Sequence, residues 1–173
     1  LLIQERLSLS FPHYVLTVHE RLRKLFIERG VVREEKIRVV LNVPDTKIFM
    51  GKKSASEPRS DERFTLLYTG TIAERYGLDI AIKGVHELRD NIPQIRLVIV
   101  GEGEHVSFLR ELTIELDVEE HVVFHEPLPL SDIPGLIANA DVGISTHRQD
   151  SFWDVYFSTK IVEFLSTGLP VVV

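Results

Sequence analysis

Two side chains near the end of the chain, Lys160 and Glu163, have types and a spacing that could do chemistry together. They lie in Ser158-Thr-Lys-Ile-Val-Glu-Phe-Leu-Ser-Thr-Gly-Leu-Pro-Val-Val-Val173, where Ile161, Phe164 and Leu165 recur at helical spacing, so both share one face of a helix. Ser158 and Thr159 are N-cap types, which puts Lys160 in the first turn. There the helix macrodipole disfavours a cation, and a bound anion is the natural remedy. A phosphate held by first-turn N–H groups and by Lys160 is therefore one reading. A solvent-facing Lys–Glu pair on a packing helix is the other. A capping box does not account for Glu163, which follows Ser158 by five residues and Thr159 by four rather than three.

A second candidate is Thr69-Gly-Thr-Ile-Ala-Glu-Arg-Tyr-Gly77. Gly70 and Gly77 allow close backbone approach, Thr71 lies between them, and Arg75 could pair a diphosphate through its guanidinium fork. The alternative is an ordinary strand–helix loop with a surface arginine. Gly101-Glu-Gly103 also follows a strand, but the third glycine of a dinucleotide fingerprint would fall at Val106, so that fingerprint fails. Gly101 and Gly103 are left as a tight turn or a ligand contact. His147 and Arg148 could reach a phosphate or simply face solvent. The histidines show no metal-ligand spacing, and no metal is expected.

These residues need elements to position them. Over residues 1–50 the pattern predicts a short helix, a strand at His13–Val18, a helix from Glu20 to Arg29 stopped by Gly30, and a strand at Lys36–Val40. Gly51–Glu62 is polar, lacks an apolar period and contains Pro58, so it reads as a linker and domain boundary. Strands then follow at Phe64–Thr69, Arg96–Val100, Val122–Phe124 and Asp141–Ser145, with a last one starting at Val171. Helices marked by Leu78 to Leu88 and by Val106 to Leu116 separate them, with a short one opened by Ser131 or Asp132 and carrying Pro134. This alternation predicts an α/β fold with a doubly wound parallel sheet, which binds ligands beyond the C-terminal ends of its strands.

The totals narrow the classes. A chain of 173 residues with 44% hydrophobic content can bury one ordinary core and part of another. A net charge of −6 argues against a nucleic-acid surface. The absence of cysteine excludes disulfides and thiolate metal sites. No apolar run approaches the ~20 residues of a membrane span, and Leu1-Leu-Ile-Gln-Glu-Arg6 is no signal peptide. A start without Met and an end on Val171-Val-Val173 read as an excised piece of a longer protein.

The run T-K-I-V-E-F-L-S-T-G-L-P-V-V at 159–172 resembles the signature of the GT-B retaining glycosyltransferases, group 1 (family 4). The segment from Lys36 to Phe49, with Asn42 and Asp45, resembles the end of that family's N-terminal domain. The resemblance implies that 1–50 is a remnant of the acceptor domain, 51–62 the linker, and 63–173 a donor-binding domain truncated at its C-terminal end. It implies that Glu163 holds the donor's ribose, and that Ser158 and Thr159 face the diphosphate. It places Gly101 and Gly103 near the nucleotide, and His125 and Glu126 beside the nucleobase. Thr71 and Tyr76 stand where the family has its arginine and lysine, and Arg75 is expected to take over that cationic role. The first glutamate of the family's E-x7-E motif would fall at Val155, which leaves Asp154 as the sugar contact, with Asp150 behind it.

The expected activity is therefore retaining transfer from a nucleotide-sugar to an unidentified acceptor, with Arg75, Lys160 and Asp154 as catalytic groups and no cofactor. The absence of cysteine fits a reducing compartment, so a cytoplasmic location is expected, with peripheral contact at the inner membrane face through the part lying outside this chain. The isolated piece is expected not to turn over. A GT-B nucleotide-sugar epimerase and a non-catalytic nucleotide-binding or interaction domain are the competing readings.

Overall fold

The computed structural model describes residues 2–49, 62–148 and 158–173. Contacts divide these residues into two units, with the break between Val43 and Pro44. The linker expected over 51–62 lies, Glu62 apart, outside the described residues.

The first unit contains helix α1 (Leu2–Ser10), strand β1 (Val15–Thr17), helix α2 (Glu20–Glu28) and strand β2 (Ile37–Val39). The two strands pair in parallel, Val15 opposite Ile37 and Thr17 opposite Val39. Val15, Val32 and Ile37 form its small core, with Leu9, Phe26 and Ile27 packed against them. His19 caps α2, its Nδ1 accepting from the Leu22 N–H at 3.2 Å. The helix stops where Gly30 takes a φ of +62°.

The second unit opens with the short helix α3 (Thr46–Phe49). Strands β3 (Phe64–Thr69), β4 (Ile95–Val100), β5 (Val122–His125), β6 (Val142–Ile144) and β7 (Val171–Val172) follow. They alternate with helices α4 (Leu78–Leu88), α5 (Val106–Glu115), α6 (Ile133–Ala138) and α7 (Thr159–Ser166). The five strands form one parallel sheet in the order β5-β4-β3-β6-β7. Strand residues alternate between its two faces. Leu97 and Ile99 pack with Tyr68, Ile82, Val85 and Leu109 under α4 and α5. Val98 and Val100 pack with Leu67, Ile133, Ile137 and Phe164 under α6 and α7. The doubly wound α/β sheet expected from the alternation of strands and helices is thus the fold observed.

Two details place the elements that matter below. Phe49, grouped by sequence with the preceding segment, is buried in the core under α6 and α7. Phe164 packs on β6 so closely that a Cβ at Gly143 would lie 2.4 Å from its ring, so only glycine at that position lets α7 sit this near the strand.

Candidate functional site

Because all five strands run parallel, their C-terminal ends share one edge. The chain proceeds from β3 outward through β4 and β5, then returns to the other side of β3 for β6 and β7. The switch in direction lies between β3 and β6, and a doubly wound sheet opens a crevice there.

The loop after β3 is shaped by its neighbour after β4. The Gly70 N–H donates to the Val100 carbonyl at 2.9 Å, and the Ile72 N–H to the Glu102 carbonyl at 2.8 Å. A Cβ on Gly101 would lie 1.9 Å from the Gly70 oxygen, and one on Gly103 would lie 2.0 Å from the Ile72 oxygen. Their φ angles are +152° and +156°. This backbone approach is sufficient reason for both glycines, in line with the tight-turn alternative.

The same loop is clasped from the β6 side. The Thr146 hydroxyl donates to the Tyr76 carbonyl at 2.7 Å, and the Arg148 N–H donates to the Arg75 carbonyl at 3.1 Å. One terminal nitrogen of Arg148 donates to both oxygens of buried Asp79, at 2.8 and 2.9 Å, and its Nε donates to the Glu74 carbonyl at 3.2 Å. Arg148, which the sequence allowed as a phosphate ligand or a surface group, spends its guanidinium on this clasp. Removing its two partners should have unequal effects. Loss of Arg148 strands a buried carboxylate whose one remaining charged partner among the described residues is the Lys83 ammonium, 3.4 Å away, whereas loss of Asp79 leaves a half-exposed guanidinium that water can solvate. In urea unfolding, Arg148→Met is expected to cost about 2–3 kcal/mol and Asp79→Asn about 1 kcal/mol.

Lys160, in the first turn of α7, reaches over the end of β3. Its Nζ sits 3.5 Å from the centroid of the Tyr68 ring and 5.4 Å from that of Tyr76. A Cβ on Gly70 would be 3.5 Å from the same Nζ, an ordinary contact distance, so the β3 loop lies directly against the ammonium. Tyr68 is fully buried and donates its hydroxyl to the Thr71 carbonyl at 2.6 Å. The exposed Arg75 guanidinium stacks on the Tyr76 ring at 4.9 Å, and the His147 ring meets Tyr76 edge-on at 5.7 Å.

The charges here are strained by burial. Desolvation pushes Lys160 down to about 7, against the attraction of Glu163. Burial likewise raises the Glu163 carboxyl, opposed by Lys160. His147 is lowered by burial and then by Lys160, while its Nδ1 contact to the Ser145 carbonyl at 3.1 Å works the other way. Ser158 stands at the N-cap of α7 as expected, but its hydroxyl does not cap. It is buried 3.4 Å from the Ser145 hydroxyl instead, because β6 and the start of α7 meet there.

The structure therefore brings together Gly70, Arg75, Lys160 and Glu163 at the switch point, with the N-terminus of α7 at Ser158 and Thr159. The Thr71 carbonyl is taken by the Tyr68 hydroxyl. His125, the last residue of β5, and Glu126 just after it are exposed, two strands from β3 or roughly 10 Å across the sheet, and the His125 carbonyl accepts the Gly101 N–H at 3.1 Å. Asp154 and Asp150 lie outside the described residues. Sequence reading passed over Tyr68 and Asp79. The available signal for Tyr68 was a hydroxyl in a buried strand, which must find a partner.

Among the described residues no helix is long and apolar enough to cross a membrane. Residues 50–173 match the family model for glycosyl transferases group 1. The chain is similar to the GDP-mannose-dependent alpha-(1-6)-phosphatidylinositol monomannoside mannosyltransferase of Mycolicibacterium smegmatis, 35% identical over 81 residues, which is 47% of this chain and 21% of that protein. It is 25% identical to the chitobiosyldiphosphodolichol beta-mannosyltransferase of Candida albicans over 98% of this chain and 40% of that one. Among solved structures, Anabaena HepE in complex with UDP superposes with a TM-score of 0.79 at 21% identity, covering 98% of this chain and 48% of HepE. The chain thus spans less than half the length of each of these three proteins. With the family match running through β3 to β7 and over the whole crevice, this chain belongs to the glycosyl transferases of group 1.

Proposed function

We propose that the second unit is the donor-binding part of a retaining glycosyltransferase, and that the crevice between β3 and β6 holds the diphosphate of a nucleotide-sugar. The observation that carries this reading is Lys160, an ammonium in the first turn of a helix, enclosed at a topological switch point with a carboxylate three residues further on. A diphosphate would relieve both the desolvation and the dipole repulsion of that cation. Sugar transfer needs negative charge stabilised on the departing diphosphate. Lys160, Arg75 and the α7 N-terminus supply positive charge without a metal or other cofactor. Glu163 orients the ribose and thereby the bond to be broken. Asp154 is the proposed sugar contact.

The base is open on this reading, because HepE is seen with UDP while the Mycolicibacterium relative is named for GDP-mannose. Acceptor groups come from the rest of a two-domain enzyme, so the isolated chain should bind donor but show no sugar transfer. Titration calorimetry with UDP, GDP and ADP tests the reading directly. One of the three should bind, and Glu163→Ala should weaken it about tenfold, the loss of one hydrogen bond to a charged group. Failure of all three to bind overturns the assignment.

A further inference from the structure

We infer that Tyr68 and Tyr76 are positioning residues that form an aromatic seat for Lys160, holding its ammonium in place with its charge and N–H donors still available to the diphosphate. This rests on the donor-site reading above and adds the device that makes Lys160 effective. The lysine needs such a device. An ammonium on a four-carbon stem is mobile, and ordering it on binding reduces affinity. A carboxylate partner would order it but would also neutralise it and occupy its donors. Among the described residues no hydrogen bond or ion pair links Glu163 to Lys160, and Glu163 acts on it through charge. The face of an aromatic ring orders a cation differently, through the negative potential of its π system.

The seat itself is fixed on both sides. Its floor, Tyr68, is fully buried in β3, and the hydroxyl is tied to the Thr71 carbonyl at 2.6 Å. The Tyr68 centroid lies 3.5 Å beneath Nζ, well inside the range for a cation–π contact. Its wall, Tyr76, is held through its carbonyl by Thr146 at 2.7 Å, beside the Arg148–Asp79 clasp. Among the described residues no hydrogen bond or ion pair takes the Nζ donors, so a diphosphate can take them while the lysine keeps its place on the ring.

The test is NMR of the intact chain carrying lysine labelled at Cε, titrated with inorganic pyrophosphate so that no nucleobase is presumed. The Lys160 signal, assigned by its loss in Lys160→Met, should lie upfield of the other lysines because it sits in the shielding cone of Tyr68. Tyr68→Leu should return that signal to the ordinary lysine position and weaken pyrophosphate about tenfold, whereas Tyr68→Phe, which keeps the ring and loses the hydroxyl, should restore the shift and most of the affinity. A purely structural role for Tyr68 would not couple affinity to the Lys160 shift. If Tyr68→Leu does not fold, Tyr76→Leu at the half-buried wall gives the same comparison, with a fall of about threefold expected. A wild-type signal at the ordinary position, or a folded Tyr68→Leu protein with unchanged affinity, overturns the inference. An upfield signal in a protein that binds no pyrophosphate overturns the positioning role by removing the donor-site reading, and is distinguishable because the seat itself would then be seen intact.

Discussion

Replacing Lys160 with methionine is expected to make the protein more stable and the crevice nearly unable to hold a diphosphate. The two effects share one cause. The ammonium is half-buried in the first turn of α7, and burial pushes it down from 10.5 to about 7. Below about 7 the ammonium is present in both folded and unfolded chains, and the full cost of enclosing it stands. Between about 7 and 10.5 the unfolded chain keeps a proton that the folded chain has released, so wild-type stability rises with pH through this window. Methionine has no such cost and packs well against the rings of Tyr68 and Tyr76. Lys160→Met should therefore gain about 1–2 kcal/mol near neutrality, after allowance for solvent screening, and that gain should fade as pH rises. Pyrophosphate binding should fall about 30- to 100-fold, the loss of a charge-assisted hydrogen bond in a partly desolvated site. Thermal unfolding across the pH range and calorimetric titration check the two arms. Unchanged affinity in a stabilised variant would show that Lys160 faces no anion.

Gly101→Ala is expected to have the largest effect on folding of any single methyl group added at this edge of the sheet. The new Cβ would stand 1.9 Å from the Gly70 carbonyl oxygen, and the neighbour is backbone, which cannot swing aside. A φ of +152° adds its own strain for any residue with a side chain. The β3 and β4 loops would have to separate, breaking the 2.9 Å bond from the Gly70 N–H to the Val100 carbonyl. A cost of about 3 kcal/mol follows from the strain and overpacking together. Binding should weaken as well, because the loop that moves carries the Thr71 carbonyl on which Tyr68 is fixed. Gly135→Ala is the control. It lies in α6 with nothing within 4 Å of an added Cβ and no positive φ, and is expected to be neutral or slightly stabilising. Urea midpoints at constant m-value compare the two.

Much of this molecule is local in origin and was legible in order along the chain. The apolar periods at Phe64–Thr69 and Leu78–Leu88 mark the strand and helix observed there, because hydrophobic spacing alone dictates which face each element buries. The alternation of strands and helices then requires parallel strands, and parallel strands place every loop that follows a strand on one edge. Lys160 and Glu163 stood out because a cation in a helix's first turn and an acid outside a capping box both lack a local explanation. What the sequence could not decide was partnership between distant segments. Tyr68 has no local feature that sets it apart from the rest of its strand, yet Lys160, far along the chain, rests on its ring. Arg148 reads from sequence as a phosphate contact or a solvent-facing group, yet Asp79 on α4 takes it. Ser158 has the chemistry of a cap, but the meeting of β6 and α7 turns its hydroxyl toward Ser145. For Lys160 and Arg148 the choice of partner is made by the strand order β5-β4-β3-β6-β7, which sets the segments after β3 and β6 side by side across the switch point, and no local interaction energy encodes that order.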